Sequence, residues 1–166
     1  MLLLWDHVVE RHEGALGQLE HAKLCGLAVS VIESTERLFE PPFVEFFPPA
    51  TADLILSATA HARDSSPEWR LGRDFVDEFF RLYDSLPEVA IRPGTGPFVM
   101  AAVRLVGGMS EGMSADEVLE ILSACYEAIL MSQLTGRVTL EMQQENERCR
   151  AAIDVQERLI AQYLNT

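Results

Sequence analysis

The sequence predicts an all-α fold, a single-domain bundle of six or seven helices. Three observations predict it. Apolar residues recur three and four positions apart in several long windows. Between those windows stand Pro pairs, glycine-rich breaks and Ser-x-x-Glu capping patterns. No stretch of useful length alternates apolar with polar residues as a half-buried strand would, and no internal repeat is present.

A first long helix is expected from about Ala15 to Phe39, where Leu16, Leu19, Leu24, Leu27, Val31 and Leu38 keep the helical period and Glu20, Glu33 and Glu36 fall between them. "EPPFVEFFPPAT" stops it, because Pro pairs cannot lie inside a helix. Phe43, Val44, Phe46 and Phe47 fall in this connection. They are read in two ways: as plugs at the end of the core, favoured for at least two of Phe43, Phe46 and Phe47, or as an exposed binding or homodimer surface.

A second helix is expected from Thr51 or Asp53 to about Ala62, with Leu54, Ile55, Ala58 and Ala62 on one face. "SSPEW" restarts the chain, with Ser65 and Glu68 as a capping box and Pro67 near the first turn. Phe75, Phe79, Leu82 and Leu86 then form an apolar stripe, with Asp74, Asp77 and Glu78 on other faces. "RPGTGPF" is a loop without the Lys-Ser/Thr ending of a phosphate-binding loop, and Thr95 or Gly96 would cap a helix over Phe98–Val106. After a glycine-rich turn, Ser114 and Glu117 make a further capping box for a helix reaching about Leu134. Gly136 breaks the chain, and a final helix is expected from about Val138 to Leu164.

At 166 residues, with 48% hydrophobic and 23% charged, the chain is long and apolar enough for a packed core and does not belong to the disordered class. Its net charge of −13 is spread over both halves. Such a field repels phosphate backbones, which argues against nucleic acid, and would draw in a basic protein. The three cysteines are widely spaced with no Cys-x-x-Cys, which fits a reducing cytosol. The opening "MLLLWDHVVE" lacks the basic and long apolar regions of a signal peptide, and no run is long enough to span a membrane. The expected location is cytoplasmic.

Gly108-Met109-Ser110-Glu111-Gly112 matches the G-x-S-x-G pattern of a nucleophile elbow. That chemistry needs a histidine downstream of the serine and a sheet to hold the turn. His7, His12, His21 and His61 all precede Ser110, and no strand pattern surrounds it, so Ser110 is read as a turn residue. His21 and Cys25, at i and i+4, are half of a metal site with no second pair. Glu-x-x-His, which a di-iron bundle would carry, is absent. No catalytic, cofactor-binding or metal-binding residue is therefore expected.

Two long stretches, "HAKLCGLAVSVIESTERLFEPP" with "TADLILSATAHARD", and "GPFVMAAVRLVGGMSEGMSADEVLEILSACYEAIL", resemble the paired helices of the YjaG-like family of uncharacterised helical bacterial proteins. The resemblance implies an all-helical fold and no known catalytic residues. The function expected from the sequence is a non-enzymatic protein-binding module, an acidic bacterial immunity protein or antitoxin that covers a basic toxin. Its candidate contact residues are Asp74, Asp77 and Glu78 on one face, Glu141 and Glu145 on another, and Phe43, Phe46 and Phe47. The alternative is a small helical enzyme or ligand-binding protein with a pocket between helices near His21, Cys25 and Tyr83.

Overall fold

The computed structural model describes residues 2–87 and 92–166. Among the described residues every regular element is helical. Ten α-helices follow in chain order: α1 (Leu4–Val8), α2 (Glu13–Leu16), α3 (His21–Glu36), α4 (Phe43–Phe46), α5 (Pro49–Asp64), α6 (Arg73–Asp84), α7 (Thr95–Glu111), α8 (Ala115–Gln133), α9 (Leu140–Glu145) and α10 (Glu147–Leu164). A single 3₁₀ turn, Glu10–His12, joins α1 to α2. The count exceeds the six or seven expected because several helices are one-turn pieces and the last long one is split.

The central helix is α3, which packs against α5, α7, α8 and α10. It is buried almost all round, since Leu24 to Val29, Val31, Ile32 and Thr35 lie in the core. A helix apolar on every side belongs in the middle of a bundle. Gly26 permits one close approach: a Cβ there would stand 2.9 Å from the ring of Tyr163 on α10. The Tyr163 hydroxyl in turn lies 3.0 Å from Ser30 Oγ on α3. The antiparallel pair α7 and α8 supplies the other half of the core, with Leu105, Val106, Ile121, Leu122, Tyr126 and Ile129 fully buried.

Several expected boundaries move, each for a local reason. The first long helix starts at His21 rather than Ala15, because Gly17–Glu20 form a turn and Ala15 belongs to α2. The second starts earlier than expected, with Pro49 at its first turn, where a missing N–H costs nothing. Ser65 does not open a helix. Its hydroxyl turns back and donates to the Ala62 carbonyl at 2.7 Å, closing α5, and α6 begins only at Arg73. Helix α7 runs from Thr95 through Gly107 and Gly108 to Glu111, so Ser110 is an exposed residue of its last turn and not part of a loop. Gly108 suits its place in the helix because Met113 packs where a Cβ would be, 2.7 Å from it. Gly112, at φ 110°, ends the helix in a conformation that L side chains avoid.

Ser114 caps α8 by accepting from the Glu117 N–H at 3.1 Å, as expected. The Glu117 carboxylate does not complete the box but pairs with Arg104 at 3.2 Å. The expected final helix breaks at Asn146, whose side chain accepts from the Cys149 N–H at 3.0 Å and caps α10.

The "EPPFVEFFPPAT" connection folds inward. Phe43, Phe46 and Phe47 are 7, 6 and 2% exposed, while Val44 beside them is 67% exposed. Their rings gather with Phe39 and Phe98, with centroids 4.7 to 6.3 Å apart. All three phenylalanines therefore plug the core. Of the two readings of this connection, the burial of the rings supports the plug for all three.

Candidate binding surface

Sequence reasoning named two acidic faces, and the structure keeps them apart. On α6, Asp77 lies 3.9 Å from Arg73 and Glu78 makes paired hydrogen bonds of 2.7 and 2.6 Å with Arg81. The guanidinium of Arg81 holds the Glu78 carboxyl below its ordinary range. Two of the three acids on that face are thus already matched with cations one helical turn away, and Asp74 is exposed beside them. Glu141 and Glu145 on α9 are exposed and carry no ion pair among the described residues. Neither face lines a groove among those described.

The concave acidic surface lies elsewhere. A groove of about 440 Å³ runs between the N-terminal segment and α8, lined by Asp6, Glu10 and Glu13 on one wall and Asp116 and Glu120 on the other. Trp5, Leu119 and Ser123 complete its lining. A second groove of about 300 Å³ adjoins it through Glu120 and Ser123 and reaches Glu127. Burial pushes the Glu127 carboxyl above its ordinary range, and the negative charges of Asp6 and Glu120 push it further. None of these six carboxylates forms an ion pair among the described residues.

One wall exists because the N-terminal segment is held down by two buried glutamines. Gln143 of α9 is fully buried, and its carboxamide accepts from the Leu4 N–H and donates to the Leu2 carbonyl, both at 2.8 Å. Gln156 of α10 accepts from the Trp5 indole N–H at 2.8 Å and donates to the Leu122 carbonyl of α8 at 2.8 Å. Farther along, His12 and Arg11 meet Glu157 at 2.8 and 3.3 Å. Buried polar groups of this kind must be paired, and here each one is.

His21 is held on both sides by backbone groups. The Met113 N–H donates to His21 Nδ1 at 2.9 Å, so Nε2 carries the ring proton and donates to the Trp69 carbonyl at 2.8 Å. Both ring nitrogens are committed, and the ring ties the start of α3 to the α5–α6 connection and to the α7–α8 turn. Burial pushes the Cys25 thiol up to about 12, which keeps it neutral in the chain as it stands. Cys125 and Cys149 are also buried free thiols, pushed up to about 12 and about 11 by desolvation. Tyr83 does not join them, since its hydroxyl lies 3.6 Å from the Met100 sulfur on α7.

Among the described residues, no helix is long and apolar enough to cross a membrane. Among the described residues the fold is all-helical and carries an acidic groove built from two distant parts of the chain. No protein-family model matches the chain, and no curated protein or solved structure does.

Proposed function

We propose that this protein is a binding module that receives a basic segment of a protein partner in the groove between its N-terminal segment and α8, in the manner of an immunity protein or antitoxin covering a basic toxin. The observation that carries this reading is the groove itself. Five carboxylates from two walls line one concavity and none of them forms an ion pair among the described residues. A low-dielectric cleft lined by one sign of charge focuses its field, which raises the rate at which an oppositely charged partner arrives. A bound Arg or Lys would also relieve the mutual repulsion that Glu127 registers.

The test is capture of an arginine-rich peptide followed by stopped-flow fluorescence at several salt concentrations. The association rate should fall as salt rises, since charges are screened over about 8 Å at physiological ionic strength. Reversing Asp116 and Glu120 to Lys should slow capture more than reversing Asp74 and Asp77. Equal slowing by the two pairs would show that net charge alone acts and would remove the groove from the account.

A further inference from the structure

We propose that the cleft between α8, α9 and α10 is a peptide-binding groove, that Leu2–Val9 of the chain fills it in cis, and that the same segment of a second copy is its ligand in trans. The receptor side is held in part from within the bundle. Tyr126 donates to Gln143 Oε1 at 2.7 Å and Leu122 accepts from Gln156 Nε2 at 2.8 Å, so α8 fixes the orientation of both carboxamides. Each glutamine then turns a defined atom toward the incoming chain. Gln143 reads main-chain atoms only, one carbonyl and one N–H two residues apart. Gln156 reads one side chain, accepting from an indole N–H. The ligand chemistry is thus a short segment entering with two main-chain contacts, followed by a tryptophan.

The segment is attached as a ligand is. Among the described residues its backbone-to-backbone hydrogen bonds stay within the segment and its connection to α3, and its polar links to the bundle come from side chains of α9 and α10. Leu3 and Trp5 are 8 and 4% exposed, while Leu2 remains 66% exposed. If the segment left, Gln143 Nε2 and Gln156 Oε1 would lose their partners, and a vacated groove of that kind seeks a replacement with the same donors and acceptors. A second copy's Leu2–Val9 supplies all of them. Two copies that trade segments close into a reciprocal pair, which the charge of −13 on each opposes at low salt.

The experiment uses full-length Trp5→Ala, whose own segment lacks its anchor, titrated with a fluorescent peptide of Leu2–Val9. Saturable binding is expected, with affinity about tenfold weaker when Gln143→Leu is added in the same chain. No binding to a Trp5→Ala chain of parental helix content would overturn the proposal, as would equal binding of a scrambled peptide. Hydrogen exchange on the unaltered chain decides the matter if that variant does not fold. The Leu4 amide and the Trp5 indole should exchange well before the amides of Leu27 and Leu122. Exchange of all four together, only on global unfolding, would show the segment to be fixed core and would end the proposal.

Discussion

The aromatic knot and the N-terminal segment both close the same bundle, and they do it with opposite chemistry. Phe39, Phe43, Phe46, Phe47 and Phe98 close it chiefly with rings, in tilted and edge-on contacts, with the Arg92 guanidinium over Phe46. The N-terminal segment is closed by Gln143 and Gln156, which are as buried as those rings and fully hydrogen-bonded. Ring packing is non-directional and its strength grows with the area removed from water. A buried carboxamide is directional: it contributes modestly when matched and costs more when one partner is taken away. The first closure should therefore weaken in proportion to lost volume, and the second should fail when a single atom is removed.

The largest expected effect lies in the knot. Phe98 is fully buried against Phe39, Phe43 and Phe47, so Phe98→Ala should destabilise by about 3–5 kcal/mol in chemical denaturation. Phe98→Leu should restore much of that, since shape and volume are what the site reads. In the segment, Gln156→Leu keeps the volume but strips the Trp5 indole and the Leu122 carbonyl of their partner. It should cost about 1–3 kcal/mol, with no rescue from its apolar bulk. A Gln156→Leu chain as stable as the parent would break the contrast.

Glu36 offers a third case, a polar group neither removed nor matched. One of its oxygens is buried without a partner. Burial, then the charge of Glu33, raises its carboxyl to about 7 against the opposing pull of Arg37. A carboxyl raised in the folded state holds its proton more tightly there than in the unfolded chain. Its contribution is therefore fully present below about 4.5 and is lost as pH rises to about 7. Glu127 is raised as well and acts with the same sign. Glu36→Gln should flatten that fall by on the order of 1 kcal/mol, reduced by solvent screening of a partly exposed group. Parallel stability–pH curves for parent and variant would contradict this. The smallest effect is expected at Ser110, exposed in the last turn of α7. Ser110→Ala should change stability by less than about 0.5 kcal/mol and leave peptide capture unaltered in the same stopped-flow assay.

The same contrast explains what the sequence let a reader see. Helical spacing identified the all-α class and the apolar faces of α3, α7 and α8, because those faces repeat along one helix. The knot was legible as a plug, since four apolar residues between Pro pairs have few other places to go. Boundaries moved where a single side chain decided them: Met113 against Gly108, and Asn146 capping α10 where one long helix was expected. The acidic groove was not legible. Asp116 and Glu120 sit one turn apart on α8, a visible pattern, but Asp6, Glu10 and Glu13 lie on pieces too short to show a period. Nothing local says that the two stripes face each other. Gln156 did leave a trace, standing in the apolar register of α10 between Ile153 and Leu159.

The chain has two tryptophans, and each marks a different junction. Trp5 is hydrogen-bonded to Gln156 where the N-terminal segment meets α10. Trp69, 8% exposed at φ 54°, offers its carbonyl to His21 and lies beneath the Arg63 guanidinium, 5.6 Å from the ring centre. The molecule thus carries two built-in fluorophores, one per seam. With either indole replaced by Phe, the emission spectrum of the other becomes a private record of its own seam. A red shift in one channel with the other unchanged distinguishes the fraying of one edge from the melting of the whole.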